Sequence, residues 1–313
     1  EKAQNRTYQD LLKNKFDEHN FEQLSTSTIY KVSIDGAVKK WMDDGMYRTI
    51  SFSPNGEYVM ISKINKPFSY LVTYSRFPTE TNIYNKDGDF VSNLQKVPLI
   101  EELPKGFMSV RTGKRSFSWR PDKGASLTYV TALDSGDPSK KVDFRDEVYE
   151  LNYPFSGKGK FILKTINRFS GIDWGTKDMA IAYDTWWNTR NRKSYVFNPS
   201  NPNIKPKIIS DRNYQDTYSD PGSFLRSRNE FNRSVLKMHY GNIFLRGQGF
   251  SPSGQFPFID KVNTKTFEKT RVYQSSYTDK IESIIDYDPK KNQLTVSIES
   301  PSEYPNYYTK KVK

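Results

Sequence analysis

Residues 50–62 read ISFSPNGEYVMIS, and this outline recurs along the chain. An apolar or aromatic stretch enters, a short turn reverses it, and an alternating apolar stretch leaves. Further copies are FSWRPDKGASLTYVTALD (117–134) and IDWGTKDMAIAYD (172–184), with looser ones at SDPGSFLRSRNEFNRSVLKMHY (219–240) and IIDYDPKKNQLTVSIES (284–300). Pro, Asp, Asn and Gly gather at the reversals because they preset or tolerate the dihedrals of a tight turn. A second kind of hairpin alternates with the first: IYKVSIDGAVKKW (29–41), NIYNKDGDFVSNL (82–94), SYVFNPSNPNIKPKIIS (194–210) and FIDKVNTKTFEKTRVY (258–273), with DEVYELNYPFSGKGKFIL (146–163) as a weaker member. The Asp-Gly pairs at 35–36 and 87–88 are strong hairpin signals.

Two alternating hairpins per repeat make four antiparallel strands, the content of a propeller blade. The copies recur at roughly 50 to 65 residues, longer than the ~40 to 45 of WD40 repeats, so the excess falls in loops such as 63–80 and 95–115. The expected fold class is therefore all-β, a β-propeller with about five four-stranded blades that form part of a larger propeller. The alternative is a large sandwich whose hairpins resemble one another by accident. Residues 1–28 form a separate N-terminal segment in which Leu11, Leu12, Phe16 and Phe21 suit a short helix, and residues 29–313 form the blades as a single domain. The first outer hairpin comes without an inner one and the chain stops soon after an inner hairpin, so the expectation is the middle and end of a larger propeller. Aromatics at 15% of 313 residues favour this reading, since they suit half-buried pleated surfaces.

Catalytic chemistry finds few of its parts. There is no Cys, which removes thiolate nucleophiles, thiolate zinc sites and disulfides. The two histidines, His19 and His239, fall in the polar leader and in an apolar strand, and His239 reads as a packed strand residue. GFSPSG (249–254) has the wrong spacing for a nucleophile elbow and reads as a turn. The DGD at 87–89 belongs to its hairpin, and Gly247-x-Gly249 lacks the context of a dinucleotide fingerprint. No metal site and no cofactor is expected.

The net charge is +12, with the densest basic cluster NTRNRK at 188–193. Three readings stay open: a polyanion partner, a solvated basic surface, or attraction of acidic peptides. No nucleic-acid-binding signature is present, so no nucleic-acid partner is expected. No apolar run approaches the ~18 to 20 residues of a membrane span. The opening EKAQNRTYQD is neither a Met start nor a leader, which fits a removed signal peptide or a start inside a longer protein.

Several longer stretches carry a resemblance. RTYQDLLKNKFDEHNFEQLSTS (6–27), KPFSYLVTYSRFPTETNIYNKDGDFV (66–91), VPLIEELPKGFMSVRTGKRSFSWRPDK (97–123) and ALDSGDPSKKVDFRDEVY (132–149) are similar, in this order, to the glutamyl endopeptidase branch of the prolyl oligopeptidase family. YDTWWNTRNRKSYV (183–196), DRNYQDTYSDPGS (211–223) and GQGFSPSGQFPFIDKVNTKT (247–266) continue it. The resemblance implies a two-domain serine peptidase, with an N-terminal propeller followed by an α/β-hydrolase domain that carries Ser, Asp and His. The resemblance implies that the hydrolase domain and the first blade or blades lie outside this sequence, so no catalytic residue carries over, and the chain by itself is expected to be inactive. In such enzymes the propeller caps the active site, admits short or unfolded peptides and contributes substrate contacts. The implied partners are peptide substrates, acidic ones among them, and the C-terminal hydrolase domain of the same parent.

If the parent cleaves after glutamate, arginine is the best partner for the carboxylate. Arg76 in YSRFP comes first, in a long loop flanked by aromatics; Arg190 and Arg192 follow, beside Trp186 and Trp187. Family habit and the lack of Cys point to an exported, periplasmic protein. The rival reading is a stand-alone propeller that binds a protein or polyanion.

Overall fold

The computed structural model describes residues 8–312. The chain divides into two compact units, one ending at Arg168 and the other beginning at Phe169. Both are made of antiparallel sheets whose strands follow one another in sequence order, the blade construction expected from the repeats.

The first unit holds two such sheets. One runs Ser27–Val32, Val38–Phe52, Tyr58–Ile64, Thr79–Asn85 and Phe90–Val97; the next runs Arg115–Trp119, Ser126–Ala132, Asp146–Asn152 and Lys160–Thr165. Strand Val38–Phe52 serves two hairpins. Its first half pairs with Ser27–Val32 and its second half with Tyr58–Ile64, so the outer and inner hairpins read from the sequence share one long strand. The two sheets pack through Met60, Ile83, Leu94, Trp119, Leu127, Tyr129, Tyr149, Leu151 and Phe155. Each large apolar side chain buried this way contributes about 1.5–3 kcal/mol relative to exposure. That core fixes the distance between the sheets.

Ahead of these sheets lies the helix Lys15–Ser25. It starts later than the pattern Leu11, Leu12, Phe16, Phe21 suggests, because Asn14 caps it, accepting from the backbone N–H groups of Phe16 and Asp17. Leu11 and Leu12 precede the helix and Phe16 is exposed, while Phe21 packs edge-on against Phe68 and Phe77. The helix thus covers the loop that joins Tyr58–Ile64 to Thr79–Asn85.

The second unit holds three larger sheets and two two-stranded ones, Arg226–Arg228/Ser234–Leu236 and Phe250–Ser251/Gly254–Gln255, among the described residues. One consists of Arg168–Thr176, Met179–Trp186, Asn191–Phe197 and Lys207–Asn213; the last consists of Ile281–Asp288, Gln293–Ser300 and Glu303–Lys311. The middle sheet differs from the expected hairpin at 219–240. Two short strands, Ser223–Phe224 and Met238–His239, both pair with Asn242–Gly247, and the hairpin Arg226–Arg228/Ser234–Leu236 is inserted between them. One strand of this sheet is thus interrupted by an excursion that carries Arg226, Arg228 and Arg233.

Candidate functional site

One cavity in each unit is lined by three arginines. In the first unit a cavity of about 400 Å³ is lined by Arg48, Arg111 and Arg115, by Ser and Thr side chains, and by apolar residues such as Met60 and Phe77. No carboxylate lines it among the described residues. Its floor follows from strand register. Thr49 pairs with Ser62, Ser62 with Thr81, and Thr81 with Gln95, which puts one polar row across four strands on one face. A face packed against a neighbouring sheet ordinarily carries apolar side chains, as the adjoining core does; here it carries hydroxyls and an amide. Ser62 and Thr81 are buried, and the Thr81 hydroxyl donates to Ser62 Oγ at 3.3 Å.

The opposite wall comes from the entry to strand Arg115–Trp119. Arg115, Ser116 and Phe117 all line the cavity, which consecutive residues of a regular strand cannot do. The register slips between Arg115 and Ser118, and Ser116 takes φ +55°, in the left-handed region. Such a conformation in a non-glycine residue costs about 1–3 kcal/mol and persists only where surroundings enforce it.

Arg111 reaches the cavity from the loop 98–114. That loop is tied down by the Val110 N–H donating to Gly136 O at 3.1 Å and by Arg168 Nε donating to Met108 O at 2.8 Å. Gly136, at φ +76°, has no room for a side chain, since a Cβ would stand 1.9 Å from Val110 O. Arg111 itself donates only to neutral acceptors, Gln95 Oε1 at 2.6 Å, Thr112 O at 3.0 Å and Lys114 O. Burial, and then the like charge of Arg115, hold its guanidinium below the usual arginine range. Arg48 donates to Ser75 O at 3.3 Å.

Arg115 is the one cavity arginine paired with an acid, and that acid is shared. Asp146, fully buried, pairs with both Arg115 and Arg168, and Asp134 pairs with both Arg168 and Arg145. Two carboxylates therefore serve three arginines before Arg48 and Arg111 are counted. The buried Nε of Arg115 has no hydrogen-bond partner, and neither has the buried Nε of Arg212 in the second unit. Beside this cavity, and sharing Gln95, Val97, Ile100 and Arg111 with it, lies a groove of about 680 Å³ walled by Leu94, Pro98, Leu99 and Leu103.

The second unit's cavity, about 310 Å³, is lined by Arg192, Arg212 and Arg226 together with Asp173 and Asp220. Arg192 stands directly opposite Arg212 across two strands, a repulsive placement. Here acids answer it. Arg226 pairs with Asp173, and Arg212 Nη1 lies 3.8 Å from Asp220. Tyr183 donates to Asp173 Oδ2 at 2.8 Å, and burial, then the Asp173 charge, push its hydroxyl far above the ordinary tyrosine range.

Of the arginines singled out in the sequence, Arg192 lines this second cavity. Arg190, two residues earlier, does not; at φ +54° in the turn, its guanidinium stacks 3.7 Å from the Trp187 ring centroid and donates to Trp187 O. Trp186 ends its strand opposite Asn191, half-buried and outside the cavity. Arg76 closes the short 3-10 turn Tyr74–Arg76, with its guanidinium 5.5 Å from the Tyr8 ring centroid. Its neighbours Ser75 and Phe77 line the first cavity and it does not. His19 is exposed on the helix, and His239 lies half-buried in a short strand against Tyr240. No cluster of three or more metal-ligating side chains occurs among the described residues.

Nothing in this geometry offers a nucleophile with a base; what it offers is oriented positive charge. Along 98% of its length, and with 36% identity over 322 residues, the chain is similar to the probable chloroplastic glutamyl endopeptidase of Oryza sativa subsp. japonica. It is related to the glutamyl endopeptidases. The protein of the same description from Arabidopsis thaliana is 33% identical over 291 residues, 90% of this chain. This glutamyl endopeptidase-like chain spans about a third of the length of these relatives, 34% and 30% respectively. No family model matches it. Among solved structures, the β-propeller domain of the Trilobed protease from Pyrococcus furiosus superposes with a TM-score of 0.41 and 11% identity, covering 91% of this chain and 72% of that one.

Proposed function

We propose that this chain is the non-catalytic propeller portion of a serine peptidase of the prolyl oligopeptidase family, and that its blades admit and contact peptide substrates. The observation that carries the reading is the similarity to glutamyl endopeptidases, which runs through nearly the whole chain yet matches only a third of their length. A segment so placed belongs to a longer parent, and the chemistry belongs to the rest of that parent. Two histidines without a positioned acid and nucleophile support an inactive isolated chain. The +12 charge supports a preference for acidic peptides, because a positive surface raises the local concentration of anionic ligands.

The test compares this chain with the protein extended to its natural C-terminus, on fluorogenic peptides bearing acidic residues. Cleavage by the extended protein and none by this chain is the expected result. Cleavage by neither favours a stand-alone binding module.

A further inference from the structure

The geometry points to a carboxylate-binding site in the first unit: the cavity lined by Arg48, Arg111 and Arg115 takes a carboxylate of a peptide whose apolar residues lie along the adjoining groove. The inference rests on the peptide-handling reading above and names the group recognised.

Charge argues first. Three guanidiniums line the cavity with no acid on its walls, and the nearest buried acid, Asp146, divides its charge between Arg115 and Arg168. Arg111 and Arg115 are half-buried and Arg48 is exposed; partly buried positive charges without counter-charge are unfavourable, and in folded proteins they are met by a paired acid or by a bound anion. Hydrogen bonding argues second. Arg111 is satisfied only by an amide and two carbonyls, and the row Thr49–Ser62–Thr81 adds hydroxyl donors on the floor. Planar guanidinium forks match the two oxygens of a carboxylate. Backbone argues third. The left-handed Ser116 inside a register slip brings three successive side chains to one cavity, and strain of this kind gathers at ligand sites.

The neighbouring groove selects the rest of the ligand. Leu94, Val97, Pro98, Leu99, Ile100 and Leu103 give it an apolar wall, its charged lining of Glu101 and Glu102 against Lys96 and Lys114 carries two charges of each sign, and Arg111 stands where groove and cavity meet. An acidic residue, or a free C-terminus, preceded by apolar residues fits both. The donors are the same for either carboxylate, so the two sources are separated by experiment.

The probes are N-acetylated tetrapeptides of Leu and Pro ending in Glu or Gln, each with a free or an amidated C-terminus, titrated calorimetrically into the whole 313-residue chain. Binding that needs at least one carboxylate is expected. The Glu amide binding and the Gln acid failing assigns the side chain; the reverse assigns the C-terminus. Arg111→Gln and Arg48→Gln should each weaken binding roughly tenfold or more, the scale of a lost charge-assisted hydrogen bond. Arg192→Gln, in the other unit's cavity, should leave it unchanged. Arg48→Gln guards against misfolding, since Arg48 has one weak carbonyl contact to lose. Equal binding of all the peptides, no binding of any, or Arg48→Gln and Arg111→Gln binding like wild type would overturn the assignment. The parent reading fails separately. If the extended protein cleaves acidic peptides with KM unchanged by Arg48→Gln, the site is wrong and the peptidase reading stands. If it cleaves nothing while binding still follows the arginines, the site stands and that reading falls.

Discussion

Each unit of this chain encloses a cavity with three arginines, and the two cavities are built to opposite ends. In the second unit, Asp173 and Asp220 sit among Arg192, Arg212 and Arg226, and Tyr183 completes the network. In the first, Arg48, Arg111 and Arg115 face hydroxyls, and the nearest acid is already engaged twice. An arginine answered by its own carboxylate holds a fold together. An arginine answered only by hydroxyls and carbonyls has capacity left for something from outside. Counting arginines would rank the two sites equally; counting their counter-charges separates them.

The sharpest break is at Asp146. Asp146→Asn leaves Arg115 and Arg168 short of a buried counter-charge, and a loss of about 3–5 kcal/mol is expected from denaturant unfolding. A small loss would mean that the arginines do not depend on it, and the contrast would weaken. Gly136→Ala comes next. Its Cβ would collide with Val110 O and its φ is left-handed, so a loss of about 1–3 kcal/mol is expected, with faster limited proteolysis in the loop 98–114.

Acid sharpens the same point at a buried carboxylate of the first unit that is fully answered. Burial alone would raise the pKa of Glu150, but the hydrogen bond from Lys123, the charge of Arg120 and the Ser126 hydroxyl together lower it below 4.5. A carboxylate depressed in the folded state stabilises above its unfolded pKa, and that stability is lost as pH falls through the folded value. Unfolding midpoints should therefore fall as the pH drops below 4.5, and Glu150→Gln should flatten that limb. A limb identical in wild type and variant would contradict the pairing.

Smaller effects test the two cavities directly. Ser62→Asp supplies the first cavity with its own carboxylate; it should raise the unfolding free energy by up to about 1 kcal/mol and block acidic peptides. Tyr183→Phe removes one hydrogen bond from the acid-bearing second cavity and should cost about 1 kcal/mol with no effect on peptide binding.

The sequence made the hairpins legible because turn chemistry and period-two alternation are local. Phe52↔Val59, Trp119↔Leu127 and Asp288↔Gln293 close the turns where the repeats place them. The middle sheet of the second unit escaped, since an inserted hairpin at 226–236 hides the two halves of one interrupted strand. The helix began later than its apolar pattern, at the cap Asn14. The cavities were only half legible. Arg192 was found, but by the same local signal as Arg190, which the turn sends elsewhere. Arg48, Arg111 and Arg115 stand far apart in the chain, and what joins them is register: Thr49, Ser62, Thr81 and Gln95 become a row only when four strands pair. Local composition carries no trace of that row.

The most direct test is a crystal structure of this chain grown with the acidic tetrapeptide that binds best. A peptide carboxylate within hydrogen-bond distance of Arg111 or Arg115, with its apolar residues against Leu99 and Leu103, is the expected result. A peptide seated at Arg192 and Arg212, or a first cavity left holding only water, would contradict the account.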